Sequence, residues 1–364
     1  MTKPKLYYYQ YCFTVALFCA AGIFLPGIVR NTAGTGAFCS FALALLPGML
    51  ILAMTAFVFR NGKGPLDAYA FCFGRAVSRV VCVINSVYFI YIAAELMAFY
   101  ALYAAYASQM SSPVLFLLPV MLGVCFAAAK RSASIGRMAV IIGGMMLAVS
   151  AFFLVVSVFG GRPENLFPVV SVPADTLFTV TFSLAALEFA QLSAVLCLSG
   201  ALRDRKKLIK STLLSALAGN AAVLTVAFMS VYLNGQTTMI NRVGYSPGYT
   251  AGGGLGGLKI LAAAALFFSA VFRAAVCLRA AGICAGEALG IKKRRTLIYP
   301  MGAAVFAVSA LLMTGIAGLS EFVIKYAWLV CLPAGAAIPF IAFIFAAVKK
   351  ARRRKNAKSR VVPE

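Results

Sequence analysis

The 364-residue chain has no histidine, and only nine acidic residues stand against 33 lysines and arginines. The first absence excludes imidazole metal ligands and imidazole proton relays. The second leaves few carboxylates for acid–base work: Asp67, Glu95, Glu164, Asp175, Glu188, Asp204, Glu287, Glu321 and Glu364. No phosphate-binding glycine loop is present, so ATP-driven work by this chain alone is not expected. Gly252–Gly254 with Gly256–Gly257 lacks the strand-to-helix context of a dinucleotide site and reads as a flexible loop. The ten cysteines include no CxxC pair, and most fall in apolar runs, where cysteine acts as a small hydrophobe. Neither a metal site, a cofactor nor a disulfide framework is therefore expected. A separate soluble domain is missing too, since the longest polar connection covers only 234–256.

What the chain does have is apolar length. Hydrophobic residues make up 63% of it and mean hydropathy is +0.95, which is beyond the range of a soluble core. A membrane helix needs about 20 apolar residues. Ten such runs lie at roughly 7–29, 34–58, 80–107, 113–129, 135–159, 175–200, 209–233, 257–287, 297–318 and 323–348. They are too uniform for barrel strands, which alternate every second residue. The first run has a full-length core and others follow it, so it reads as a span and not as a signal peptide. The fold class is an all-α integral membrane protein of ten transmembrane helices. Residues 1–348 form one membrane domain and 349–364 a basic tail.

All but seven of the 33 basic residues fall on the connections that share a side with the N-terminus. They include Arg60, Lys63, Arg75 and Arg79, then Lys130, Arg131 and Arg137, then Arg203 to Lys210, then Lys292 to Arg295, and the tail from Lys349 to Arg360. By the positive-inside rule both termini are cytoplasmic. The net charge of +24 is thus a topology signal toward an anionic inner leaflet and not a nucleic-acid footprint.

The informative residues are charges at costly depth. Glu95, Glu188 and Arg273 each lie near the middle of a run, where a charge costs about 2.5–3.5 kcal/mol on insertion scales. Arg279 lies nearer the cytoplasmic end. Such groups face the bundle or a wet cavity, and serve either as a structural ion pair or as a ligand or transport site. Tyr88, Tyr91 and Glu95 fall within about 60° of one another on a helix. Thr181, Leu184 and Glu188 share a face in the same way, with Gln191 close by. In the first run Gly22 permits unusual backbone angles, and Pro26 removes a hydrogen bond to the carbonyl of residue 22. That combination marks either a kink or a discontinuous helix whose exposed ends bind ligand groups. The sixth run has no glycine or proline from 176 to 199, so no break is legible there. Arg273 needs an acceptor, and Glu95 is the first expected partner, with Glu188 or a ligand carboxylate as alternatives.

At these residues the chain resembles the GerAB-type spore-germination permease subunits of the amino acid–polyamine–organocation superfamily. The likeness covers nearly the whole chain. Gly22-Ile23-Phe24-Leu25-Pro26 is similar to the first-span segment, Tyr88-Phe89 followed by Glu95 to the third, and Ser183-Leu184-Ala185-Ala186-Leu187-Glu188 to the sixth. The chain departs from the family in Ala186, where glycine is usual, in the glycine loop 252–257, and in Arg273, where a small polar residue is common. The resemblance implies a five-plus-five inverted-repeat bundle with a discontinuous helix 1. It implies a midplane ligand site built from Gly22, Ile23, Pro26, Tyr88, Tyr91, Glu95, Ser183, Leu184, Glu188 and Arg273. It also implies a non-enzymatic sensor of a small, amino acid-like molecule in a spore inner membrane or plasma membrane, beside two other germinant-receptor subunits. The alternatives from the residues alone are a cation-coupled transporter of amino acids or small amines, and a scaffold with purely structural interior charges.

Overall fold

With no water to satisfy the backbone, a long apolar run has to close its own hydrogen bonds, and helices do so within a single segment. The computed structural model describes residues 6–25, 29, 32–108, 112–160, 163–167, 169, 172–202, 205–234, 256–291, 293–313 and 315–359. Among them every regular element is helical, apart from one isolated parallel bridge between Leu6 and Leu202. The long helices are α1 (Tyr8–Ala20), α2 (Ala37–Arg60), α4 (Arg75–Ser108), α5 (Val114–Ala129), α6 (Ser132–Gly160), α9 (Leu208–Asn234), α10 (Gly256–Ala288) and α11 (Arg295–Leu312). The sixth apolar run is composite. It consists of α7 (Ala174–Leu184), a π-helical turn (Ala185–Phe189), a 3-10 turn (Ala190–Leu192) and α8 (Ser193–Leu198). The last run joins α12 (Ile316–Phe322), α13 (Trp328–Leu332) and α14 (Ile338–Ser359) through π-helical turns at Val323–Ala327 and Pro333–Ala337.

Eight helical segments among the described residues are long and apolar enough to cross a membrane. Two of the ten expected runs are not among them. The helix α5 is apolar but only 16 residues long. In the first run the α-helix stops at Ala20 and tightens into a 3-10 turn, Ala21–Phe24.

One helix, α3 (Pro65–Phe73), forms inside a basic connection. Pro65 occupies its first turn, where no backbone donor is needed, and Asp67 complements the helix dipole there. Gly74 at φ 85° ends it. The Lys349 ammonium donates to the Phe71 and Cys72 carbonyls at 3.0 Å each, a cation on the negative end of the helix.

At the centre, α4 packs along α10 more extensively than any other pair, while α1 lies against α9 and α6. Hydrogen bonds stitch these helices. Tyr11 and Thr212 hydroxyls meet at 2.8 Å, Ser86 donates to the Ala281 carbonyl at 3.1 Å, and Ser309 to the Ala94 carbonyl at 3.0 Å. Each is worth about 0.6 kcal/mol in a membrane protein, so packing carries more of the association. Leu46 and Leu311, each 80% exposed, stand on the outer surface, as lipid-facing side chains should.

Small residues set the closest approaches. A β-carbon on Gly219 of α9 would collide with the Ala16 carbonyl oxygen and reach 2.7 Å from Cys19 Cβ. Gly219→Leu is therefore expected to destabilise the α1–α9 pair by roughly 1–3 kcal/mol. A lowered melting temperature of the solubilised protein checks this, and an unchanged one contradicts the contact.

Candidate functional site

Among the described residues Arg273 is the largest side chain to be fully buried, at 1% exposure. Its position on α10 turns the guanidinium toward the interrupted sixth run. Two of its nitrogens converge on one oxygen of Glu188, Nη1 at 3.2 Å and Nη2 at 3.3 Å from Oε2. Nη2 also donates to Gln191 Oε1 at 2.7 Å and to the Leu187 carbonyl at 3.4 Å. The Phe18 ring of α1 covers the guanidinium, 4.7 Å from ring centroid to Cζ, a cation–π contact. The partner of Arg273 is thus Glu188, not the Glu95 expected first. The reason lies in the backbone of the sixth run. The π-helical turn widens the ladder at Ala185–Phe189, places Glu188 within it, and leaves the Leu187 carbonyl open to Arg273. Ala186 does not prevent this interruption, and no glycine or proline marks it.

Gly22 closes the other side of the carboxylate. A β-carbon at this position would stand 2.5 Å from Glu188 Oε2 and 3.0 Å from Cδ and Oε1. The space that Gly22 leaves free is filled by the carboxylate of Glu188. The interruptions of runs one and six therefore face each other across a single charged group. Pro26 and the side chain of Ile23 lie outside the described residues.

Glu95, 4% exposed on α4, belongs to the same electrostatic neighbourhood and lies in the field of Arg273. The Tyr91 hydroxyl lies close to Glu95, yet neither it nor Glu95 Oε2 closes a well-formed hydrogen bond. Tyr88, 2% exposed, directs its hydroxyl toward the π-helical turn of the last run: a β-carbon on Gly335 would reach it at 2.7 Å and Ala190 Cβ at 2.5 Å. Cys331 stands among Tyr88, Glu95 and Gln191. Of the expected wall, Tyr88 and Glu95 are buried, and Tyr91 is half-buried with its hydroxyl close to Glu95. Ser183 and Leu184 are buried on the turn that leads into the π-helical segment, one turn before Glu188.

The cluster is only partly satisfied. The hydroxyls of Tyr88, Tyr91 and Thr181, Oε2 of Glu95, Oε1 of Glu188 and Nε of Arg273 are all buried without a hydrogen-bond partner among the described residues. Leaving a buried polar atom unpaired costs about 1–3 kcal/mol. A purely structural ion pair would be expected to use both carboxylate oxygens and all three guanidinium nitrogens. This one holds one donor and one acceptor in reserve, with further unpartnered oxygens on the side chains around it.

Two participants were less visible in the sequence than the charges. Gln191 supplies the shortest contact to Arg273, and its place three residues after Glu188 put it close to the same helix face. Phe18 lies four residues before Gly22, one helical turn away, and that spacing was its only signal.

The family model described as spore germination protein matches residues 8–314. The chain belongs to the spore-germination permease family. The match spans the first run, the composite sixth run and α10, so all three elements that meet at Glu188 lie within it. Comparison with curated proteins gives no match. The family is one of transporter- and receptor-type membrane proteins, and membership together with the apolar helices makes the chain an integral membrane protein concerned with germination.

Proposed function

We propose that this permease is the ligand-sensing membrane subunit of a spore germinant receptor, with the buried cluster around Arg273 and Glu188 as its ligand site. In this reading ten spans cross the membrane as a five-plus-five inverted repeat and both termini face the cytoplasm. The observation that carries the proposal is the set of unpaired buried polar atoms at the meeting point of the interrupted helices. Arg273 Nε offers a donor to a carboxylate, while Glu95 Oε2, Glu188 Oε1 and the tyrosine hydroxyls offer acceptors to an ammonium. An α-amino acid bears both groups within one small molecule. The ligand set comprises Gly22, Ile23, Pro26, Tyr88, Tyr91, Glu95, Ser183, Leu184, Glu188 and Arg273, and two further receptor subunits read the occupied state. The chain performs no catalytic step and takes no cofactor, metal or nucleic acid.

The second reading is a cation-coupled amino acid transporter. The interrupted first and sixth runs favour it, because broken helices at a midplane site are the working parts of such transporters. Labelled amino acids offered to proteoliposomes separate the two. Saturable binding without accumulation is expected of the sensor. Sustained, gradient-driven accumulation would make the chain a transporter.

Glu95→Gln tests the acidic wall. Glu95 lacks the direct ion pair that Glu188 has, so its charge is available to a ligand. The substitution is expected to weaken amino acid binding about tenfold, or ~1.4 kcal/mol, with the melting temperature unchanged. Lost stability with unchanged affinity would make Glu95 a structural residue instead.

A further inference from the structure

Away from the buried cluster, a cavity of about 1340 Å³ opens at the end of the bundle that carries the basic connections. Four parts of the chain build it: the approach to α3 at Lys63–Asp67, the α5–α6 connection at Lys130–Ser132, the end of the sixth run at Gly200–Leu202, and the end of α10 with the connection to α11. Lys63, Lys130, Arg131, Arg279, Lys293 and Arg295 all line it. Among the described lining residues two carboxylates, Asp67 and Glu287, stand against them, and Glu287 is already engaged. Glu287 accepts the Leu66 N–H at 2.9 Å and pairs with Arg294 at 3.1 Å.

Arg279 is the telling residue. It is half-buried on α10, one of the central helices, and its Nε is buried with no hydrogen-bond partner among the described residues. None of the ion pairs among the described residues includes it, and the charges acting on it are the like charges of Arg294 and Arg295. A guanidinium stays charged and needs acceptors, yet here its neighbours repel it. An anion in the cavity would supply the acceptors and offset the repulsion between the basic groups.

We propose that this vestibule binds a phosphate-bearing anion, with Arg279 and Arg295 as its principal ligands. A forked guanidinium grips phosphate oxygens in a way a single ammonium cannot. Basic pockets between membrane helices on the cytoplasmic side take phospholipid headgroups, and the rim has the chemistry for it. Phe126 on α5 and Tyr299 on α11 both line the cavity and are 63% and 61% exposed, so acyl chains could lie along them while the headgroup enters. A soluble phosphate compound offers the same oxygens without the chains. This site is independent of the germinant reading, since it lies on a different part of the chain and its test needs no germinant.

The test titrates the purified full chain with dioctanoyl-phosphatidylglycerol, dioctanoyl-phosphatidylcholine and inorganic phosphate, reading thermal stability and bound ligand. The anionic lipid is expected to bind in preference to the zwitterionic one, and about fivefold more weakly for each charge removed by Arg279→Gln or by Arg295→Gln. Lys293→Gln and Arg295→Gln alter exposed side chains only, so they report on the site even if Arg279→Gln disturbs folding. If inorganic phosphate binds with the same dependence on these residues and the lipid adds nothing, a soluble phosphate is the source. Equal binding by wild type and all three variants, or no binding of either anion, overturns the proposal.

Discussion

Gly22→Leu is expected to abolish amino acid binding while the protein still inserts into the membrane. The β-carbon alone would stand 2.5 Å from Glu188 Oε2, well inside contact distance. The carboxylate has no easy retreat, since the residue is 1% exposed and its Oε2 is held by two nitrogens of Arg273. The added side chain must push Glu188 off Arg273 or push the first run away from the sixth. Overpacking of this kind costs about 1–3 kcal/mol for small additions, and leucine adds three more carbons beyond the β-carbon. Either displacement changes the place where, among the described residues, the two interrupted helices meet at a charge. Gly22→Ala should give the same defect in weaker form. Membrane-fraction yield and binding of labelled amino acid, measured on one preparation, check the expectation. Normal binding by a fully inserted Gly22→Leu protein would remove Gly22 from the site.

The second large effect concerns the ion pair. Arg273→Glu places a carboxylate against Glu188 in a buried setting, and removing one partner of such a pair costs about 3–5 kcal/mol even without a like charge beside the other. The expected result is a protein with severely reduced yield and melting temperature. Adding Glu188→Arg reverses the pair and should restore part of that loss, because residues in direct contact show large coupling in double-mutant cycles. Adding Glu95→Arg should not, since Glu95 lies in the same field but makes no ion pair with Arg273. Rescue by Glu95→Arg and not by Glu188→Arg would contradict the geometry. Replacing both members with apolar residues of similar size is a separate arm. Such pairs often lose little stability when replaced together, so a stable double variant that no longer binds ligand would separate the ligand role from the structural one.

Much of this site was legible because charges in apolar runs are costly and therefore conspicuous. Glu95, Glu188 and Arg273 could be found by depth alone, and the helical spacing of Tyr88, Tyr91 and Glu95 put them on one wall. The choice between Glu95 and Glu188 was not legible, because it depends on a backbone irregularity. A π-helical turn needs no glycine or proline, so residues 176–199 read as a regular helix while Ala185–Phe189 depart from one. The two further π-helical turns of the last run are equally silent at Val323–Ala327, where no proline stands, although Pro333 opens the other. The short helix α3 was also hidden. It lies between basic residues in a connection, and its signals were only Pro65 and Asp67 at the start and Gly74 at the end. Arg279 was visible as an intramembrane charge, but its lack of a partner emerges only when the ends of four helices are brought around one cavity.

In the proposed function, the unpaired polar atoms beside the Arg273–Glu188 pair receive a small zwitterion. Equilibrium binding of labelled amino acids to the purified chain in nanodiscs, for wild type and Glu95→Gln side by side, tests it most directly. Saturable binding of at least one amino acid by the wild type is expected, competed by the same amino acid unlabelled, and weakened about tenfold in a Glu95→Gln protein that melts at the wild-type temperature. Saturable binding of equal affinity in the two proteins, or no saturable binding of any amino acid by a stable wild type, would contradict it.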